Sequence, residues 1–454
     1  MNSIRKFLFF ITFITISLSQ NIASASDQEL DRRAQWQARF ERLPEAGVRI
    51  RQLEASSGLV HAGLAVDDVL ISVDNKTILS GADWDDLSDA LVAGHEYRIL
   101  FRRGTREAYT SAVFEPLERE NHNGITTAYD QIVSDFGIRQ RVIITRPSGA
   151  ESPQPAIFVL QGLSCSSIEY WQGRRSNFAR SLRNLVQQSG MVVMRTEKPG
   201  LGDSEGNCSK TDFKTEINGY ETAIKKLKAL PYVDPDRIVV FGSSMGSALA
   251  PYFANKYNLN GVIADGTYHR TWFEHMLEIE RRIKSMEGND ETTVNQMMNR
   301  AYIPLYYGML VEKLSYQQVV ERSPLLATYN YHDGGHMYGR PVSFYHQLQD
   351  FDVAGNWEKV SVPVRIRWGT NDWIMSEADN DMIVTALQGA GNSDVILLKY
   401  PGLDHFDTIQ PTMLASFTGE AGQWDDEISG QLVRWAKELN AQKNSRMGKY
   451  AEKP

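Results

Sequence analysis

The residues best suited to chemistry lie around Ser244. Strand-like Ile238-Val-Val-Phe runs into Gly242-Ser243-Ser244-Met245-Gly246, and the small residues Ser247-Ala-Leu-Ala suit a helix start. G-x-S-x-G between a strand and a helix holds its serine on a sharp turn, and glycines two positions to either side let the elements approach closely. The start of the following helix favours negative charge developing there. A serine hydroxyl is a weak nucleophile until a neighbouring base takes its proton. Nine histidines are available. His61, His95 and His122 fall towards the start of the chain, and His269, His275, His332, His336 and His346 share one later segment. His405 stands alone, in Tyr400-Pro-Gly-Leu-Asp-His, after the last strand-like stretch. It is the candidate base. The carboxylate to orient it is Asp372, which ends Val364-Arg-Ile-Arg-Trp-Gly-Thr-Asn-Asp. Asp404 and Asp407 are the alternatives, although a direct sequence neighbour can rarely reach the ring.

The elements that must position these residues alternate between strands and helices, the mark of an α/β sheet. Residues 125–134 and 140–145 read as an opening hairpin. Strands are expected at 156–160, 191–195, 237–241, 262–264, 364–368 and 395–398, and helices at about 176–188 and 212–230. The run at 156–160 is apolar throughout, as in parallel strands buried on both faces. The stretch from 264 to 364 is far longer than a crossover helix needs, so a cap insertion is expected at about 267–360. It is rich in Met, Tyr and His, and most of its aromatic residues are expected to be cap core. His332 and His336 stand four apart, but Asp333-Gly-Gly between them breaks a helix, and no metal site is assigned.

Residues 124–440 resemble an α/β-hydrolase. The resemblance is carried by Gly242-Ser243-Ser244-Met245-Gly246, Gly369-Thr-Asn-Asp372, Gly402-Leu-Asp-His405 and Glu197-Lys-Pro-Gly-Leu-Gly-Asp-Ser-Glu-Gly206, in that family's order. It implies that Ser244 attacks, His405 acts as general base and then acid, and Asp372 orients and stabilises the imidazolium. The oxyanion hole would combine the backbone N–H groups of Met245 and Leu163, the latter in Gln161-Gly162-Leu163, where many relatives carry His-Gly. Within the superfamily the chain looks most like the serine aminopeptidase and Xaa-Pro dipeptidyl-peptidase-like branch. This chemistry calls for no cofactor. In a doubly wound sheet the loops holding Cys165 and Cys208 open at the same edge, so a bridge between them is one expectation and two free thiols the other.

The front of the chain has another texture. Residues 27–43 read as a short polar helix, from the spacing of Leu30, Trp36, Phe40 and Leu43. Residues 44–116 then resemble a PDZ domain, an α+β module, through Gly47-Val-Arg-Ile, Ala62-Gly63-Leu64 and Asp68-Val-Leu-Ile-Ser-Val-Asp-Asn. PDZ domains bind peptides by adding a strand to a sheet edge, so a peptide ligand is a possible partner. Asp67 replaces the glycine usual before Asp68, and Asp tolerates a left-handed backbone better than most residues. Residues 116–124 read as a polar linker.

The chain has 454 residues, 42% hydrophobic and 23% charged, which excludes disorder, collagen and coiled coil as the main class. A formal charge of −8 without a basic tract argues against nucleic acid as a partner. Arg5 and Lys6 precede a nearly uncharged apolar run at 7–18, and Ala23-Ser24-Ala25 follows, so residues 1–25 read as a cleavable secretory signal. As a helix that run rises only about 18 Å, against roughly 30 Å of hydrocarbon. No later stretch is apolar and long enough to span a bilayer. The sequence therefore leads to an exported serine hydrolase that cleaves an ester or amide through an acyl-enzyme. The alternative is a peptide-binding or scaffold protein that uses the PDZ-like module beside an inactive hydrolase domain.

Overall fold

The computed structural model describes residues 29–170, 176–330, 332 and 334–441. The segment read as an export signal lies outside them. The described residues form two large sheets with their own cores, joined by a short connection, and a separate two-stranded hairpin.

The first sheet contains β1 (Ala38–Arg42), β2 (Val48–Leu53), β3 (Val69–Val73), β4 (Lys76–Thr77), β5 (Glu96–Arg103) and β6 (Arg106–Val113). Its order is β1-β2-β3-β5-β6, with β4 pairing β3. Asp74 and Asn75 carry φ of 46° and 62°, the paired left-handed residues that a two-residue hairpin needs. Asp67 is left-handed as well, at φ 74°. Two helices, Gly58–His61 and Gly81–Asp89, complete this unit, each capped by a serine hydroxyl that accepts a backbone N–H.

Of the helix expected at 27–43, none is formed among the described residues 29–43. Arg33 and Ala34 bridge to Val92 and Pro116, and β1 pairs with β2. The physical reason is a period misread. Trp36, Ala38 and Phe40 lie two apart, as on one face of a strand, and pack on the first core. Trp36 and Phe40 lie 5.1 and 4.6 Å from the Trp84 ring, a burial that outweighs weak helix propensity. This sheet therefore begins before residue 44.

The second sheet holds β7 (Ile125–Val133), β8 (Arg139–Pro147), β9 (Gln154–Leu160), β10 (Val192–Thr196), β11 (Val233–Ser243) and β12 (Gly261–Asp265). A two-stranded hairpin, β13 (His336–Met337) and β14 (Arg340–Pro341), stands apart in the cap, and β15 (Val364–Gly369) and β16 (Val395–Tyr400) return to the sheet. The order is β16-β15-β12-β11-β9-β10-β8-β7, parallel from β10 to β16, with β8 and β7 added antiparallel. Alternation sorts the buried residues. Ala156, Phe158 and Leu160 of β9 face a core with the helices Phe213–Ala229 and Met245–Tyr257, while Ile157 and Val159 face the helices Asn177–Gln188 and Asp426–Ala441. The chain leaves β9 for β10 on one side and later returns to β11 on the other, which opens a crevice at the carboxyl ends of these strands. The segment between β12 and β15 forms the cap. Its Tyr302, Leu305, Tyr306 and Met309 are buried in the same core cluster as β9 and β11.

The connection at 116–124 is not simply a solvated linker. Glu120 and His122 are buried, and Glu120 pairs with Arg195 at 2.6 Å. Arg32 reaches across to Glu169 at 2.6 Å and Asp203 at 3.1 Å, and Arg141 also pairs with Asp203. Charge pairs with buried carboxylates thus fasten the front segment to the second domain.

Candidate active site

β11 ends at Ser243, and the helix Met245–Tyr257 starts one residue beyond Ser244. Ser244 sits between them at φ 56°, ψ −127°, a conformation that costs free energy for any residue with a Cβ. Its N–H donates to Asp265 O at 2.9 Å, and Ser244 O accepts from Ser247 N at 2.9 Å. The two flanking glycines are required by space. A Cβ on Gly242 would lie 2.3 Å from Gly246 O, and one on Gly246 would lie 2.2 Å from Leu160 O.

His405 Nε2 lies 2.9 Å from Ser244 Oγ, and His405 Nδ1 lies 2.8 Å from Asp372 Oδ2. The other carboxylate oxygen of Asp372 accepts the N–H groups of Ile374 and Met375 at 2.8 and 2.9 Å, which holds the carboxyl group in place. Serine, imidazole and carboxylate form one hydrogen-bonded chain. Asp404 and Asp407, the alternative acids, face elsewhere. Asp404 braces its own loop by accepting from Phe406 N and Thr408 N, and Asp407 pairs with Arg367 at 2.6 Å.

The loops bearing Asp372 and His405 are tied together. Thr370 Oγ1 accepts Gly402 N–H at 2.8 Å, and Asn371 Nδ2 donates to Gln410 O at 2.7 Å. A Cβ on Gly369 would lie 2.1 Å from Leu403 O, so the Gly-Thr-Asn-Asp run suits that lashing residue by residue. Burial depresses the pKa of His405, but the Asp372 charge and hydrogen bond, with Asp265 and Asp404 behind, outweigh it, and the net shift is upward.

A cavity of about 570 Å³ opens over this chain of groups. Ser244, His405, Met245, Gln161, Gly162 and Leu163 all line it. Both residues expected to supply oxyanion N–H groups therefore border the same space as the serine. Apolar side chains form much of the remaining wall, with Trp272 and Ile279 from the cap and Trp373 and Phe406 from the strand-end loops. His275 joins them, its pKa held well below the ordinary value by burial and then by the charges of Arg282 and His405, so it stays neutral. Cys165 and Cys208 form a disulfide with Cα atoms 5.8 Å apart, joining the loop after β9 to the loop after β10. Among the described residues no group of three or more metal-ligating side chains is found.

Two sets of residues lie in runs singled out in the sequence but were assigned no role there. Arg367 on β15 donates to Asp265 Oδ1 at 2.7 Å and to Asp407 Oδ1 at 2.6 Å, linking β12 to the His405 loop. A charged residue in a strand buried on both faces needs such a partner, so Val364-Arg-Ile-Arg-Trp carried the signal. Glu197 and Lys198, buried at the end of β10, contact the loop that follows β9. Adjacent opposite charges after an apolar strand were their sign.

No family model matches the chain. Over 347 residues it is 21% identical to the esterase EstD of Thermotoga maritima, covering 74% of this chain and 72% of that protein. Over 191 residues it is 24% identical to dipeptidyl-peptidase 5 of Porphyromonas gingivalis, covering 41% of this chain and 26% of that protein. Among solved structures, the Pyrococcus furiosus esterase Pf2001 aligns at 15% identity and a TM-score of 0.42, over 71% of this chain and 96% of that one. Est1E of Butyrivibrio proteoclasticus aligns at 13% and 0.45, over 70% and 100%. By its sheet order and the strand–turn–helix at Ser244 the chain has an α/β-hydrolase-like fold, and its sequence is similar to that of EstD.

Proposed function

We propose that the protein is a serine hydrolase that cleaves carboxylic esters through an acyl-enzyme. One observation carries this reading: the continuous hydrogen-bonded chain from Ser244 Oγ through His405 to Asp372. Ser244 Oγ attacks the ester carbonyl while His405 Nε2 takes its proton, and Asp372 stabilises the imidazolium. The N–H groups of Met245 and Leu163 receive the negative oxygen. The tetrahedral adduct collapses, His405 returns the proton to the departing alcohol, and the acyl group stays on Ser244. Water activated by the same imidazole then releases the acid.

Esters are favoured over peptides by two observations. The described residues lining the cavity are apolar or neutral apart from His405, which suits an uncharged substrate. The similarity to an esterase runs through most of both chains, whereas that to a dipeptidyl-peptidase spans 26% of its length. The test is a panel of p-nitrophenyl esters beside aminoacyl and Xaa-Pro amides, with fluorophosphonate labelling of wild type and Ser244→Ala. Ester turnover and labelling that both disappear in Ser244→Ala are expected. Amide cleavage faster than ester cleavage would replace the esterase reading by the peptidase one.

We also read the front domain as PDZ-like and the protein as exported. The left-handed Asp67 and the small sheet with two helices support the first, and the disulfide suits an oxidising compartment. Fluorescence titration of the full chain with a library of C-terminal peptides tests the groove, and N-terminal sequencing of protein recovered outside the cytoplasm tests the signal.

A further inference from the structure

The loop after β9 has to offer an N–H group to the reacting oxygen, yet it has left the ladder that would hold it. Two neighbouring side chains at the end of β10 take over that task. Lys198 Nζ donates to the carbonyl oxygens of Gly162, Leu163 and Ser164, the last two at 3.2 Å. Glu197 works on the far end, where its Oε2 accepts Ile168 N–H at 3.0 Å and its Oε1 accepts Glu169 N–H at 3.2 Å and the Ser167 hydroxyl.

We propose that Glu197 and Lys198 splint this loop, and that Lys198 is the positioning residue of the oxyanion hole. The inference rests on the serine-hydrolase reading of the site. Its core is peptide geometry. The carbonyl of Gly162 and the N–H of Leu163 belong to one trans peptide and point in opposite directions. An ammonium that fixes the first therefore fixes the second, aiming it away from Lys198. The same charge draws electron density towards the carbonyl oxygen and makes the Leu163 N–H a stronger donor.

The ammonium is buried in a cluster of charges. Glu216, from the helix Phe213–Ala229, lies 3.3 Å away, and Arg340 on β14 pairs with the same carboxylate. Burial pulls the pKa of Lys198 down to about 8, with Glu216 and Glu197 raising it and Arg340 lowering it. Tyr220 and Tyr345 beside them stay neutral, their pKa values pushed well up by burial. Mild alkali thus removes the charge that aims the donor.

The test measures kcat and KM for a p-nitrophenyl ester against pH in wild type, Lys198→Met and Glu216→Gln. In Lys198→Met, kcat is expected to fall by about 10²-fold or more with little change in KM, as when an oxyanion donor is lost. The wild-type decline above a pH of about 8 should vanish in Lys198→Met and move to lower pH in Glu216→Gln, which loses the carboxylate supporting the ammonium. A Lys198→Met protein with wild-type kcat, or with the alkaline decline intact, overturns the proposal while Ser244-dependent turnover stands. If Lys198→Met does not fold, an unmoved decline in Glu216→Gln overturns it. Wild-type protein without Ser244-dependent turnover removes the hydrolase reading and this inference together.

Discussion

Arg195 and Glu120 form a two-point pair inside the protein, the guanidinium at the end of β10 donating to both carboxylate oxygens at 2.6 and 2.7 Å. The glutamate belongs to the connection between the domains, so that connection is anchored in the second core. Burial alone would raise the Glu120 pKa, but the Arg195 charge and the hydrogen bonds from His122, Arg195 and Tyr170 hold it well below the carboxylate range. Glu120→Gln leaves a buried guanidinium unpaired and should cost about 3–5 kcal/mol, read from urea unfolding at neutral pH. The folded pKa lies below the unfolded one, so the pair contributes fully above the unfolded value and is lost as pH falls through the folded value. The gap between the two proteins should therefore narrow in strong acid.

Asp372→Asn should keep the fold and lower kcat by roughly 10⁴-fold, because the ring loses the partner that sets its tautomer and steadies its charge. The pH profile carries a second signature. His405 must be neutral to accept a proton, so kcat/KM falls on the acid side as the ring protonates. With its pKa raised mainly by Asp372 against burial, that limb lies above the ordinary histidine value in wild type and moves to lower pH in Asp372→Asn.

Gly246→Ala places a methyl 2.2 Å from the backbone carbonyl oxygen of Leu160. Neither side can yield without opening the turn under Ser244. We expect turnover to collapse and the urea midpoint to drop. Gly389→Ala, at the end of a helix where an added Cβ meets nothing within 4 Å, is the matched control and should leave both unchanged or slightly improved.

Reduction of Cys165–Cys208, which spans 43 residues, should lower stability by about 4 kcal/mol through the freed unfolded chain. Mass spectrometry after alkylation under denaturing conditions checks the bond: no added groups without reductant, and two with it.

Much of this site could be read along the chain because its pieces are local. The strand, the glycine spacing and the helix start around Ser244 are contiguous, and they form the turn that their order implies. His405 stood out because no other histidine follows a late strand. The residues that aim these groups were harder to read, since their meaning is pairwise. Arg367 acquires a role only beside Asp265 and Asp407, and Lys198 only beside three carbonyls that precede it by some 35 positions. The front segment failed for a different reason. Trp36 and Phe40, four apart, fit one face of a helix or of a strand, and only contact with Trp84 decides between them.

Asp203 lies in the turn after β10, yet its carboxylate is neutralised by Arg141 of its own domain and by Arg32 from ahead of the first sheet. A truncated chain starting at residue 124 would strand Asp203 and Glu169 at a newly bared face without the guanidinium that Arg32 brings to both. The two halves are thus poor candidates for exchange with unrelated modules, and inheritance should keep them together: an ancestor that lost the front half would also have had to discharge those two acids.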